Sequence, residues 1–100
     1  MPMFRPDASL TVGNARAVLA AGLEAIRGGQ TEFDLGGLAA VDSSAVATLI
    51  AWQRAAREAG RQLAFIGLPA NLRSLVDLYG AAELLHLSAD PLHRRDLPHH

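Results

Sequence analysis

Ala40-Val41-Asp42-Ser43-Ser44-Ala45-Val46-Ala47-Thr48-Leu49 is the stretch on which the reading of this chain turns. An apolar run at 31–35 and a Gly36-Gly37 loop lead into it, and a strong helical pattern follows. Asp42-Ser43-Ser44 therefore sits where a helix begins, placing a carboxylate and two hydroxyls at its positively polarised end. Asp42 or Ser43 can cap that helix by accepting a hydrogen bond from a free backbone N–H. Ser44 falls in the first turn with its hydroxyl exposed. A phosphate on it would add roughly −1.5 to −2 charge, welcomed by the helix end and opposed by Asp42.

The helix behind the triplet has two unlike sides. At 100° per residue, Ala45, Val46, Leu49, Trp52, Gln53 and Ala56 share one broad side, the natural core face. The other side reads Ser44, Ala47, Thr48, Ala51, Ala55 and Glu58, nearly free of the long charged residues of a solvated face. Small side chains let another chain pack close. Alanine is equally a good helix former in an alanine-rich protein, and both readings stay open.

Working outward, 3–5 and 8–12 read as short strands broken at Pro6-Asp7 and able to form an antiparallel hairpin. Asn14 is a candidate N-cap of a helix running to about Arg27, with Val18, Leu19, Ala21, Leu23 and Ile26 on its apolar side and Gly28-Gly29 as its stop. The spacing predicts a strand at 31–35, the Asp42-Ser43-Ser44 helix to about Ala59 with Gly60 as its stop, and a strand at 62–66. Pro69 starts another helix, whose Leu72, Leu75, Val76 and Tyr79 fall at i, i+3, i+4 and i+7 before Gly80. Arg73 and Asp77 are spaced for an exposed ion pair beside it. The patch 84–87 reads as a short strand or a last helical turn. From Ser88 on there is no period and there are two prolines, so 88–100 reads as a disordered tail behind one domain at 1–87. Strands alternating with helices imply an α/β fold: a mixed, mostly parallel sheet of four to five strands packed against helices.

Composition narrows the function. One hundred residues suit one domain. The net charge is −1, with nine arginines, no lysine, no basic block and few aromatics, which gives nucleic-acid binding little support. No stretch approaches the ~18–20 apolar residues of a membrane span, and the N-terminus lacks a signal-peptide pattern. Cysteine is absent, which excludes disulfides and thiolate metal sites. His86, His93, His99 and His100 lack metal-ligand spacing. Gly36-Gly37 is followed by no Gly-Lys-Ser/Thr, and no Gly-x-Ser-x-Gly elbow supports a triad of Asp42, Ser44 and His86. The expectation is a cytosolic, non-enzymatic protein without metal or cofactor.

The element order, with Phe33-Asp34-Leu35 leading to Asp42-Ser43-Ser44 and Leu63 leading to Tyr79-Gly80, resembles the STAS domain family over roughly residues 3–87. The resemblance implies one of two roles. In the anti-sigma factor antagonists, the hydroxyl matching Ser44 is phosphorylated by a partner kinase; Ala45 stands here where that branch usually has glycine. In the small STAS subunit of Mla-type phospholipid ABC transporters, the helix after Asp-Ser/Thr docks on the ATPase subunit and supports its activity. The length, the Leu68-Pro69-x-x-Leu72 and Leu78-Tyr79-Gly80 segments and the alanine-rich helix side look more like this second branch. It implies partner contacts from Asp42, Ser43, Ser44, Ala47, Thr48 and Ala51. It also implies a cytoplasmic protein held at the inner membrane through its partner, without direct membrane insertion and with its oligomeric state left open.

Overall fold

Parallel pairing of very short strands organises the molecule. The computed structural model describes residues 3–6 and 8–85. In order these form β1 (Ser9–Leu10), α1 (Ala15–Arg27), β2 (Glu32–Asp34), β3 (Ala40–Val41), α2 (Ser43–Glu58), β4 (Ala64–Ile66), α3 (Ala70–Leu78) and the single turn α4 (Ala82–Leu85). The α/β class is as expected. The sheet differs: β1 pairs with β3 and β2 with β4, two parallel pairs rather than one mixed sheet of four to five strands.

No hairpin forms among the described residues of the N-terminal segment. Phe4 instead makes a parallel bridge with Phe33, and Ser9 and Leu10 lie opposite Ala40 and Val41. The reason is tertiary. The Phe4 ring sits 4.6 Å from Phe33 and 5.6 Å from Trp52, so the segment gains more on the core than beside its own neighbour. The strand β3 itself escapes a reading by periodicity, since two residues carry no period.

The helix ends follow their local chemistry. Gly28 and Gly29 close α1, Gly29 at φ +100°, and Gly60 and Gly80 take positive φ after α2 and α3. Pro69 lies one residue before α3, in extended conformation, rather than in its first turn. Asn14 occupies the N-cap position of α1 but makes no cap bond, because its side chain turns back to the preceding loop. The 84–87 patch starts as the helical turn α4, while His86, Leu87 and the proposed tail lie outside the described residues.

The core forms around α2. Ala45, Val46, Leu49, Trp52, Gln53 and Ala56 are all buried, as their spacing predicts, against Phe33, Leu35, Phe65, Leu72, Val76 and Leu85. Gln53 Nε2 donates to the carbonyls of Leu63 (3.1 Å) and Leu85, tying β4 and α4 to the helix. In α3, Leu72 and Val76 are buried and Leu75 half-buried, but Tyr79 is 56% exposed. The α3 stripe ends one turn early on the side that packs against α2. The Arg73–Asp77 ion pair is present at 3.9 Å on the surface.

Candidate docking site at the start of α2

The site begins with a carboxylate that serves two loops. Asp42 follows β3 in extended conformation and is the N-cap of α2. Its Oδ1 accepts from the Ser44 backbone N–H at 2.8 Å, and its Oδ2 accepts from the Val12 N–H at 3.0 Å. The Val12 bond chiefly holds the Asp42 carboxyl below its usual pKa; desolvation, the next largest effect, pushes it up, and the backbone and side chain of Ser44 lower it further. Asp42 thus caps α2 and ties the β1–α1 loop to it.

That loop is rigid in its own right. Asn14 Oδ1 accepts from the Thr11 N–H at 2.9 Å, while its Nδ2 donates to the Ser9 carbonyl at 2.9 Å and the Ser9 hydroxyl at 3.2 Å. Val12 is left 80% exposed at the loop's tip. On the other side, Asn71 Nδ2 donates to the Ala39 carbonyl at 2.9 Å, fastening α3 to the segment entering β3. Three connections therefore hold the start of α2 in one place.

The face offered to solvent is narrower than the sequence spacing predicts. Ser43 and Ala47 are exposed, Ile50 and Ala51 half-buried, and Arg54 exposed; together they form one stripe along α2. Ser44 and Ala55 are half-buried. Thr48 is only 4% exposed, which corrects its place on the open side. The helix α1 lies over it, and its hydroxyl donates to the Ser44 carbonyl at 2.8 Å, the internal bond available to a threonine with no water to reach. The small residues on this flank of α2 thus serve α1 first.

The approach of α1 depends on Gly22. The Trp52 indole, fully buried, donates from Nε1 to the Leu19 carbonyl at 3.0 Å, and a Cβ at Gly22 would stand only 2.6 Å from Trp52 Cζ2. Toward their N-terminal ends the two helices separate and leave a hollow of about 270 Å³ lined by Ala15, Arg16, Leu19, Ser44, Ala47 and Thr48. Val12, Asn14, Arg16 and Asn71 are the members of this region that sequence spacing missed. Only Gly13-Asn14, a turn-forming pair, carries a local signal for any of them.

The Asp42 carboxylate engages Ser44 through its backbone N–H and its hydroxyl, an arrangement that caps the helix. No group of three or more His, Asp or Glu suited to a metal exists among the described residues. No helix among the described residues is long and apolar enough to cross a membrane. A larger cavity of about 490 Å³ lies at the opposite pole, beside Gln53, Arg57 and Arg61 at the starts of β2 and β4. Arg57 there faces the negative end of its own helix, an ordinary structural use.

No curated protein matches the sequence. A family model described as the MlaB STAS domain matches residues 7–87, taking in every element from β1 to α4 and the whole Asp42 site. On that match, and on the parallel α/β architecture that carries Asp42-Ser43-Ser44 at the head of its central helix, the chain belongs to the MlaB-type STAS domain family.

Proposed function

We propose that this chain is the non-catalytic STAS subunit that binds and supports the ATPase of an Mla-type phospholipid ABC transporter. STAS domains are in general binding domains rather than enzymes, and the family match supports a protein–protein role. The observation that carries the reading is the stripe of exposed Ser43 and Ala47 and half-buried Ala51 on a helix whose start is held by its own Asp42 cap, the β1–α1 loop and α3. The short side chains at Ser43, Ala47 and Ala51, at the N-terminal half of a stripe that continues with Ile50 and Arg54, let a partner's backbone come close at little entropic cost. Asp42 positions the first turn, and Ser43 and Ser44 edge the contact. In this reading the chain works in the cytoplasm, at the inner membrane through its partner.

The test is co-purification with the transporter ATPase. Ala47→Arg and Ala51→Arg place a long cation on exposed or half-buried positions, so both variants are expected to fold as the parent does and to lose the ATPase. Retention of the complex by both would refute the assignment. Phosphorylation of Ser44 by an anti-sigma factor kinase is the competing reading. It has less support, because a phosphate there would stand beside the Asp42 carboxylate, which already holds the Ser44 N–H. Kinase treatment that leaves Ser44 unmodified, checked by mass spectrometry, removes it.

A further inference from the structure

We propose that Asn71, on α3, is a positioning residue for docking: by holding the Ala39 carbonyl it sets where Asp42 and Ser43 stand, and docking depends on that bond more than the fold does. The proposal rests on the docking reading above and adds a residue from another helix to it. Two features carry it. The first is how little else holds the chain that enters the site. The strand β3 is two residues long, Ala40–Val41, and among the described residues its one strand neighbour is β1. Ala39 and Ala40 are exposed, and their N–H groups both donate to the Ala8 carbonyl, at 2.7 and 3.1 Å. The Asp42 bond to Val12 runs to the same N-terminal segment. Among the described residues, the hydrogen bond that ties residues 39–42 to a different part of the molecule is the one from Asn71 Nδ2 to the Ala39 carbonyl, at 2.9 Å.

The second feature is the use Asn71 makes of both ends of its amide. The helix α3 starts behind Pro69, which gives it no side-chain cap bond. Asn71 Oδ1 accepts from the Leu72 N–H at 2.8 Å, one of the free donors of the first turn. Its Nδ2 leaves the helix for Ala39, 32 residues away in sequence. Asparagine is a weak helix former, and at this exposed position an aspartate would keep the acceptor and suit the helix dipole better. The half of the side chain that α3 does not need is therefore the half that holds Ala39. Because Ala39 is exposed, water takes over its carbonyl when the bond is lost, and the fold loses little. The loss falls instead on the placement of Asp42 and, through its cap, of Ser43 and Ala47.

Two substitutions test this in the full chain with the purified transporter ATPase as probe. Asn71→Asp removes only the donor to Ala39, so its melting temperature should match or exceed the parent's while ATPase binding weakens by about three- to tenfold. Asn71→Ala loses both bonds but gains helix propensity, and should weaken binding comparably. In the unbound variants, amide exchange should rise at Ala40 and Ser44 and stay at the parent's level in α1, which a general loss of stability would not produce. If both variants bind as the parent does while Ala51→Arg still abolishes binding, Asn71 makes only a surface bond and the docking face stands. A loss of binding that merely follows a fall in melting temperature would overturn the proposal as well. If the parent itself fails to bind the ATPase, the docking reading fails and this inference with it.

Discussion

Replacing Gly22 by alanine tests how α1 and α2 come together, and with them the shape of the proposed docking face. In an ordinary helix interior the change would stabilise by about 1 kcal/mol through helix propensity. Here the added methyl would meet the Trp52 indole, 2.6 Å from Cζ2 and closer still to Nε1 and Cε2. The indole has nowhere to go. It is fully buried, it lies edge-on to Phe33 at 5.1 Å and to Phe4 at 5.6 Å, and its N–H is held by the Leu19 carbonyl. Overpacking costs about 1–3 kcal/mol, and an indole N–H pushed off its acceptor costs about 1–3 kcal/mol more. Set against the propensity gain, the net is a loss of about 3 kcal/mol, or roughly 12–24 °C in melting temperature for a domain of this size. Thermal melts followed by circular dichroism measure it. Gly28→Ala is the control: its φ is −75° and the nearest atoms to a new Cβ are the Ala25 and Glu24 carbonyl oxygens at 3.4 and 3.5 Å, so it should be neutral or stabilise by up to about 1 kcal/mol. A Gly22→Ala protein as stable as the parent would refute the reasoning, since the helices would then not be held at the distance the indole sets.

Further outcomes follow from the same contacts. The Asp42 carboxyl has its pKa lowered on folding, so its contribution is present above the unfolded value of about 3.8 and is lost as pH falls through the folded one. Asp42→Asn should therefore flatten the acid limb of the melting-temperature curve below pH 4, and an unchanged slope would contradict the two backbone bonds. Gln53→Leu keeps the volume but strands the Leu63 and Leu85 carbonyls; a loss of about 2–4 kcal/mol is expected in urea unfolding, with amide exchange rising first in α4. Thr48→Arg forces a long cation under α1 and should unfold or strongly destabilise the domain, whereas Thr48→Val should change stability by about 1 kcal/mol or less. A folded Thr48→Arg protein with normal melting would put that residue back on the open face.

Much of the architecture was legible because its signals are local. The stop glycines 28, 29, 60 and 80 and the 3.6-residue spacing of α2 and α3 each depend on the chain within a few residues of themselves. The core face of α2 was readable in full, from Ala45 to Ala56, because a helix buries one side whatever covers it. The opposite side was not. Ser44, Ala47, Thr48 and Ala51 look alike in sequence, and only the position of α1 separates buried Thr48 from exposed Ala47.

By itself, then, the sequence determined the alternation of strands and helices, the cap at Asp42 and the place of the small-residue helix behind it. Tertiary structure alone decided that the N-terminal segment runs parallel to its neighbours, that Asp42 also holds Val12, and that Arg16 from a different helix stands beside Ser44. The physical reason is range. Capping and periodicity act over one or two turns of chain, whereas the region around the start of α2 is formed where segments about 30 residues apart are brought together by the Trp52 core and fastened by single hydrogen bonds.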